Sequence, residues 1–468
     1  MELYLLDQVI IGAYIVGLFV LGLKFAKKSL DEDNYMLAAR KLTLPAFVMT
    51  LVTTWYGLIL GVGEFVFGYG IVAWITNGLF WYFIYLFFAF FMSKKIHDSG
   101  HTTLADQLRE KIGNKSGTLG GIITYIMTTP APYVLSLGVL INVLFGVSLV
   151  WSMAIGLLIS AIYVWYGGFR AVVRTDMLQF ILMFLGFGLL VVFSIIHFGG
   201  FTFLKENLPA THLTWKGELP IQTIIVWGLL ACWTLVDPNF YQRCFAAKDG
   251  NTAKKGVLYS IIFWFLFDMA TLITGFYARA AFPESEPMFS YLTLSNAILP
   301  VALKGLFVVA LLSIIMSTID SFLFSSSSII AKDFLEKKFV NSSLKKLTRV
   351  GIIITLLLSL VFVWIFQSII GIIYAVGTVG VSALLLPTLL SIFSKRKLND
   401  TIITTSMILS ACTSSIWLVD GWLKQEYGWP IYRFNIEPMY IGIATSVVIL
   451  LLMWKWLFKQ KNHRTEQQ

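Results

Sequence analysis

The chain has 468 residues, of which 57% are hydrophobic and 13% charged, and 35 Lys and Arg against 25 Asp and Glu give a formal charge of +10. Mean hydropathy is +0.79, while a soluble protein carries roughly twice that charged fraction. Together these values exclude a soluble multidomain enzyme, a disordered chain and a nucleic-acid binder, and long apolar runs without period-two alternation argue against a membrane barrel.

A bilayer-spanning helix needs about 20 apolar residues, so the apolar content fills roughly thirteen spans. Thirteen helices are predicted, at 5–25, 43–66, 70–93, 118–145, 148–166, 172–198, 220–240, 257–279, 300–331, 348–366, 369–394, 401–421 and 437–458. The opening MELYLLDQVI lacks a basic n-region and an A-x-A site, so it reads as a retained first span. Very short turns separate the second helix from the third and the tenth from the eleventh.

The second span, TLVTTWYGLILGVGEFVFGYG, carries Thr53, Thr54, Gly57, Gly61 and Gly63. Glycine lets a chain leave helical geometry. The fourth span contains Pro130 and Pro132 and is expected to kink. A turn, YGGFRAVVRTDMLQ, leads into the sixth, where Asp176 reads equally as a cation ligand or as a solvated charge at the inner edge. A polar link over 199–219 follows. The seventh span ends in TLVDPNFYQRC, where Pro238 removes a backbone donor beside Asp237. Two interrupted spans five places apart point to an inverted five-plus-five repeat with broken first helices. In the eighth span Asp268 has no visible partner.

The ninth span, PVALKGLFVVALLSIIMSTIDSFLFSSSSIIAKDF, places Ser313, Ser317, Asp320, Ser321 and Ser328 on one helix face, with Thr318 beside it. Such oxygens are ligands for a hard cation. Serine and threonine in mid-membrane also bond back to the i−4 carbonyl or join helices, but a carboxylate is not needed for that. Glu64, Asp176, Asp237, Asp268 and Asp320 are acids in or at the edges of spans, and no Lys or Arg falls mid-span. Asp320 lies about 18 Å from the inner end of its helix and Asp176 about 6 Å in, so a shared site is not indicated by depth.

With the N-terminus outside, 29 of the 35 Lys and Arg fall on inner connections, and only Lys205, Lys216, Arg279, Lys304, Lys424 and Arg433 fall outside. This follows the positive-inside rule and explains the charge as topology, with the C-terminus cytoplasmic. Cys232, Cys244 and Cys412 form no CxxC pair, the five histidines have no metal-ligand spacing, and no GxxxxGK[ST] loop occurs. No cofactor, enzyme activity, nucleic acid or obligate protein partner is indicated.

The stretches YVWYGGFRA at 163–171 with TDMLQ, SIIMSTIDSFLFSSSSIIAKDF at 313–334, HTTLADQL at 101–108 and FYQRCFAAKD at 240–249 together resemble the sodium:solute symporter family. The resemblance spans about 5–458. It implies an all-α polytopic membrane protein with a LeuT-type inverted-repeat core, the first repeat at 43–198 and the second at 220–394. A peripheral helix and inner loop at 1–42, an outer loop at 199–219, and two peripheral helices with a cytoplasmic tail at 395–468 complete it. The implied function is sodium-coupled solute uptake across the cell membrane by alternating access. The resemblance places the sodium ion on Ser317 and Thr318 hydroxyls, the Ile314 carbonyl and the carbonyls of Leu51 and Thr54; a frame shifted by two residues gives Thr53 and Tyr56. A second cation site would use Asp176 and the hydroxyl positions 320 and 321. Position 320 is Asp here, which departs from the family pattern and admits a proton there instead, whereas Ser321 fits. The solute cavity would involve Thr53, Trp55, Asn77, Asp237 and Asn239. With no arginine in the core helices, a neutral, zwitterionic or amine-bearing small solute is expected. Proton coupling, and a sodium-dependent channel or sensor, remain the competing readings.

Overall fold

The computed structural model describes residues 2–26, 32–365, 369–425 and 430–458. Among these residues every regular element is a helix, apart from two isolated bridges that pair Leu42 with Ala247 and Leu398 with Phe458. Among the described residues ten helices are long and apolar enough to cross a membrane. Helices dominate because a chain in lipid must satisfy its backbone within each segment.

The thirteen expected crossings are recovered once three features are resolved. The helix Leu149–Phe198 runs 50 residues, about 75 Å if straight, which is far more than one crossing. It breaks at Gly168, whose φ of 59° and ψ of −153° are left-handed. The Tyr163 and Asp176 side chains both reach the adjacent turns Ser317–Asp320 of one other helix, so the chain reverses at Gly168. A straight helix would hold them about 20 Å apart. Leu44–Thr53 and Ile59–Tyr69 are two halves of one broken crossing. Pro438–Leu452 is the last, shorter crossing.

Breaks occur where the sequence loses helical support. Leu44–Thr53 opens on a proline at its start and ends at Thr53, leaving Thr54–Leu58 unwound around Gly57. A methyl on Gly57 would lie 2.6 Å from Thr318 Cβ, so glycine permits the close approach. In the seventh crossing, Ile221–Leu230 tightens over Ala231–Leu235, stops, and restarts as Pro238–Ala246. Asp237 caps this restart by accepting the Asn239 N–H at 2.7 Å. The fourth crossing is also two pieces, Asn114–Met127 and Ala131–Phe145, divided at Thr128–Pro130.

Leu303–Ile329 is the axle of the bundle, with every residue from Phe307 to Ile329 buried. It packs against Leu149–Phe198, Leu5–Ala26, Leu344–Ile365 and Ala131–Phe145. Peripheral helices instead expose apolar side chains such as Val16, Ile416 and Leu452, as lipid contact requires. The 199–219 link is not simply polar loop. It contains the helix Phe201–Asn207, and it buries His212 with Nε2 2.9 Å from the Phe67 carbonyl oxygen. The expected turn between the tenth and eleventh helices at 366–368, and the tail from 459, lie outside the described residues.

Candidate functional site

The first break faces the serine- and threonine-rich helix. A helix end leaves its last four carbonyls without intrahelical partners, here Thr50 to Thr53. The Thr318 hydroxyl donates to Ile314 O at 3.1 Å and lies 3.5 Å from Thr53 O. Thr318, Ile314 and the unwound turn therefore meet. The carbonyl that Thr318 meets belongs to Thr53, so the shifted frame matches the contact better than Leu51 with Thr54. Leu51 lies two residues before Thr53, and the Thr54 hydroxyl lies 2.6 Å from Thr50 O and 2.9 Å from Ser321 Oγ. Ser317, the neighbour of Thr318, donates to Asp176 Oδ1 at 2.6 Å.

Asp176 is wholly buried, not a solvated edge charge. It accepts from Ser317 and from the Thr50 hydroxyl. The depth argument that separated Asp176 from the ninth span fails because the helix reversal at Gly168 carries Asp176 alongside Ser317. Asp320 does not join it directly: its carboxylate accepts from Tyr163.

The expectation that no Lys or Arg lies mid-span is corrected by Arg243. The helix Pro238–Ala246 continues inward from the break, and the Arg243 guanidinium is fully buried in the core. Its Nη2 donates to Thr54 Oγ1 at 2.7 Å, Ser321 Oγ at 2.7 Å and Thr50 Oγ1 at 3.0 Å, and lies 3.7 Å from Asp176 Oδ2. A tethered guanidinium thus stands among Asp176, Thr54 and Ser321, where a second cation was expected. Counting arginine as a loop residue hid this, because Arg243 follows Pro238 by only five residues and looked like the edge of the seventh span. Its position after a helix break was the available signal.

A cavity of about 930 Å³, its mouth included, opens beside the break. Trp55 and Asn77 line it, as expected. Thr53, Asp237 and Asn239 do not: the Thr53 hydroxyl bonds back to Met49 O at 3.0 Å, Asp237 caps its helix, and Asn239 Oδ1 accepts from Ser325 at 2.6 Å. The wall that sequence reasoning missed is aromatic, built from Trp74, Trp81, Trp227, Trp233 and Tyr133. These four tryptophans come from two crossings, Val72–Asp98 and Ile221–Ala246, and only the convergence of the two on one cavity marks them. Asp268 also faces the cavity, and its partners are the Tyr56 and Tyr82 hydroxyls.

At the far end of the axle two of the motifs meet. Thr103 of HTTLADQL donates to Asp333 Oδ1 at 3.2 Å, and Arg109 Nη1 lies 3.3 Å from the same oxygen.

Comparison with known proteins places these features in context. The profile of the sodium:solute symporter family matches residues 35–409. The sodium/pantothenate symporter of Haemophilus influenzae is 31% identical over 48% of this chain and 49% of its own length, so that match spans about half of each. The osmoregulated proline transporter OpuE of Bacillus subtilis is 26% identical over 94% of both chains. Among solved structures, a Na+-coupled sialic acid symporter in a substrate-bound outward-open state aligns over 98% of this chain and 99% of its own, with a TM-score of 0.82 and 16% identity. Mhp1, a nucleobase-cation-symport-1 family transporter, aligns with a TM-score of 0.54 and 13% identity.

Proposed function

This chain belongs to the sodium:solute symporter family, and from that premise we propose that it uses inward sodium movement to accumulate a small organic solute by alternating access. The observation that carries the reading is the Thr318 hydroxyl standing between the Ile314 and Thr53 carbonyls, across an unwound turn. We place sodium there, with Ser317 as a neighbouring hydroxyl. Uncharged oxygens hold a monovalent ion weakly enough to release it where sodium is scarce. Two different segments supply the ligands, so binding favours the packing that brings them together. That differential affinity is what coupling requires.

The second cation is assigned differently. The Arg243 guanidinium already supplies positive charge to Asp176, Thr54 and Ser321. This supports one coupled sodium ion per cycle. Repeat boundaries at 43–198 and 220–394, a cell-membrane location, and an outside N-terminus with a cytoplasmic C-terminus complete the proposal, the last on the Lys and Arg asymmetry.

The aromatic cavity beside the break is the proposed solute site. The relatives carry names as different as pantothenate, proline and glucose symporters, so family membership leaves the solute open. Arg243 is bonded to hydroxyls and does not line the cavity, so a neutral, zwitterionic or amine-bearing solute remains the expectation.

Uptake into proteoliposomes tests the coupling. Accumulation is expected in external sodium and not when potassium replaces it. Undiminished uptake in potassium overturns the reading, and uptake that then follows an imposed pH gradient identifies the proton as the coupling ion.

A further inference from the structure

Four wholly or partly buried aspartates around the two breaks and the cavity, Asp176, Asp237, Asp268 and Asp320, differ in what answers their charge. Asp176 has Arg243 at 3.7 Å. Asp237 caps a helix at 2.7 Å, and Asp320 is held by Tyr163. Asp268 alone among them lines the large cavity, and it is only half-buried. Among the described residues no Lys, Arg or His lines that cavity with it.

The groups around Asp268 are arranged to donate towards it. Trp74 Nε1–H, which can only donate, reaches the Tyr82 oxygen at 3.2 Å, and the Tyr82 hydroxyl in turn bonds Asp268 Oδ2. Tyr56 reaches Oδ1 at 2.7 Å. Two hydroxyls fix the carboxylate without cancelling its charge, and a carboxylate has about four lone-pair sites, so acceptor capacity remains. Gly78 leaves the approach open, since a methyl there would lie 3.0 Å from Oδ2. Five indoles, Trp55, Trp74, Trp81, Trp227 and Trp233, line the cavity beside aliphatic side chains such as Leu58, Val62 and Ile373. Aromatic faces attract organic cations, with indole the strongest, and the attraction grows when the ion is desolvated. A single acid in a cavity lined by five indoles is chemistry for an ammonium group. It is poor chemistry for an anion, and a polyhydroxylated neutral solute would want many more polar partners than Asn77 and Thr271 supply.

We propose that Asp268 and the tryptophan walls of this cavity receive a positively charged amine of the transported solute. This rests on the cavity being the solute site and sharpens its solute class to amines, quaternary ammonium compounds and amine-bearing zwitterions. Asp268 makes the charge contact, and Tyr56 and Tyr82 are positioning residues.

The test is thermal denaturation of the purified full-length chain, in sodium and in potassium, with solute pairs that differ in charge. Choline is paired with 3,3-dimethylbutanol, L-proline with N-acetyl-L-proline, and D-glucosamine with D-glucose. At least one amine-bearing member is expected to raise Tm in sodium while its uncharged-nitrogen or nitrogen-free partner does not. Asp268→Asn should weaken that ligand at least tenfold yet keep the stabilisation by sodium alone, which shows that the fold and ion site survive. The paired comparison in the unmodified protein decides the matter even where the variant fails to fold. Equal or better stabilisation by 3,3-dimethylbutanol, N-acetyl-L-proline or D-glucose, or none by any amine-bearing member, overturns the assignment. An amine response identical in sodium and potassium leaves the assignment standing and counts against sodium coupling instead, so the two failures are separable.

Discussion

Arg243 is a charged residue in a core with few other charges, and its energetics follow from its neighbours. Breaking a buried pair by removing one partner strands the other charge and costs about 3–5 kcal/mol. Arg243→Gln should therefore lower thermal stability sharply, and Asp176→Asn added to it should recover part of the loss. Additive losses in that double-mutant cycle would deny the coupling between Asp176 and Arg243. Thr318 is a different case, since its hydroxyl meets backbone carbonyls and no charge. Thr318→Ala should raise the sodium concentration for half-maximal uptake about tenfold, equivalent to about 1.4 kcal/mol, with the folded state largely kept. An unchanged sodium dependence rejects the placement of the ion. Ser317 on the serine-rich face and Thr318 beside it stood out by helical spacing, whereas Ile314 entered only through the family resemblance. Arg243 was not, because its role depends on Thr54 and Ser321 arriving from two other segments. For the same reason the sequence did not show that Asp237 caps a helix and that Asn239 meets Ser325: a helix break in sequence does not say whether its polar residues cap the helix or face a cavity.

At the scale of elements, the broken crossing works through how closely it approaches the axle. Gly57 sits against Tyr133 and Thr318 with no room for a side chain. Gly57→Ala should push the unwound turn off Leu303–Ile329 and separate Thr53 O from Thr318. We expect loss of sodium-dependent uptake with membrane insertion retained, measured by uptake beside surface expression; normal sodium-dependent uptake would show that this approach is dispensable. The reversal at Gly168 is a second place where an element is set by one residue. A methyl there would meet the Tyr35 carbonyl oxygen at 2.5 Å, and the left-handed backbone already disfavours any other residue. Other ties are made by acids at helix starts. Asp7 accepts the N–H groups of Ala302 and Gly305, both at 2.8 Å, and so fastens the first helix to the start of the axle. Asp400 does the same for Asn114–Met127 through Ser116 N at 2.9 Å. Neither tie has a local sequence signature, since each joins residues more than 280 positions apart.

For the whole molecule the quantity of interest is the gradient it can sustain. One charge through about 100 mV is worth about 2.3 kcal/mol, and a tenfold sodium gradient adds about 1.4 kcal/mol. The proposed one sodium ion per cycle would therefore limit a solute of zero net charge to roughly 500-fold accumulation. Steady-state uptake in proteoliposomes under those gradients should plateau near that ratio, and a plateau hundreds of times higher would show that a second ion is coupled despite Arg243. The same binding should raise thermal stability with sodium, by about 2.7 kcal/mol at a hundred times its dissociation constant.

The sequence by itself determined the membrane class, the thirteen crossings, the two interrupted helices and the hydroxyl-rich face of the ninth. These are properties of single segments, written in local apolarity, in Gly and Pro, and in helical spacing. The tertiary structure alone decided which carbonyl meets Thr318, that Arg243 stands beside Asp176, and that five tryptophans share a cavity with Asp268. Those are meetings between segments far apart in the chain. Local pattern fixes which face a helix buries, but not which atoms of another helix lie against it, since that is set by the packing of the whole bundle.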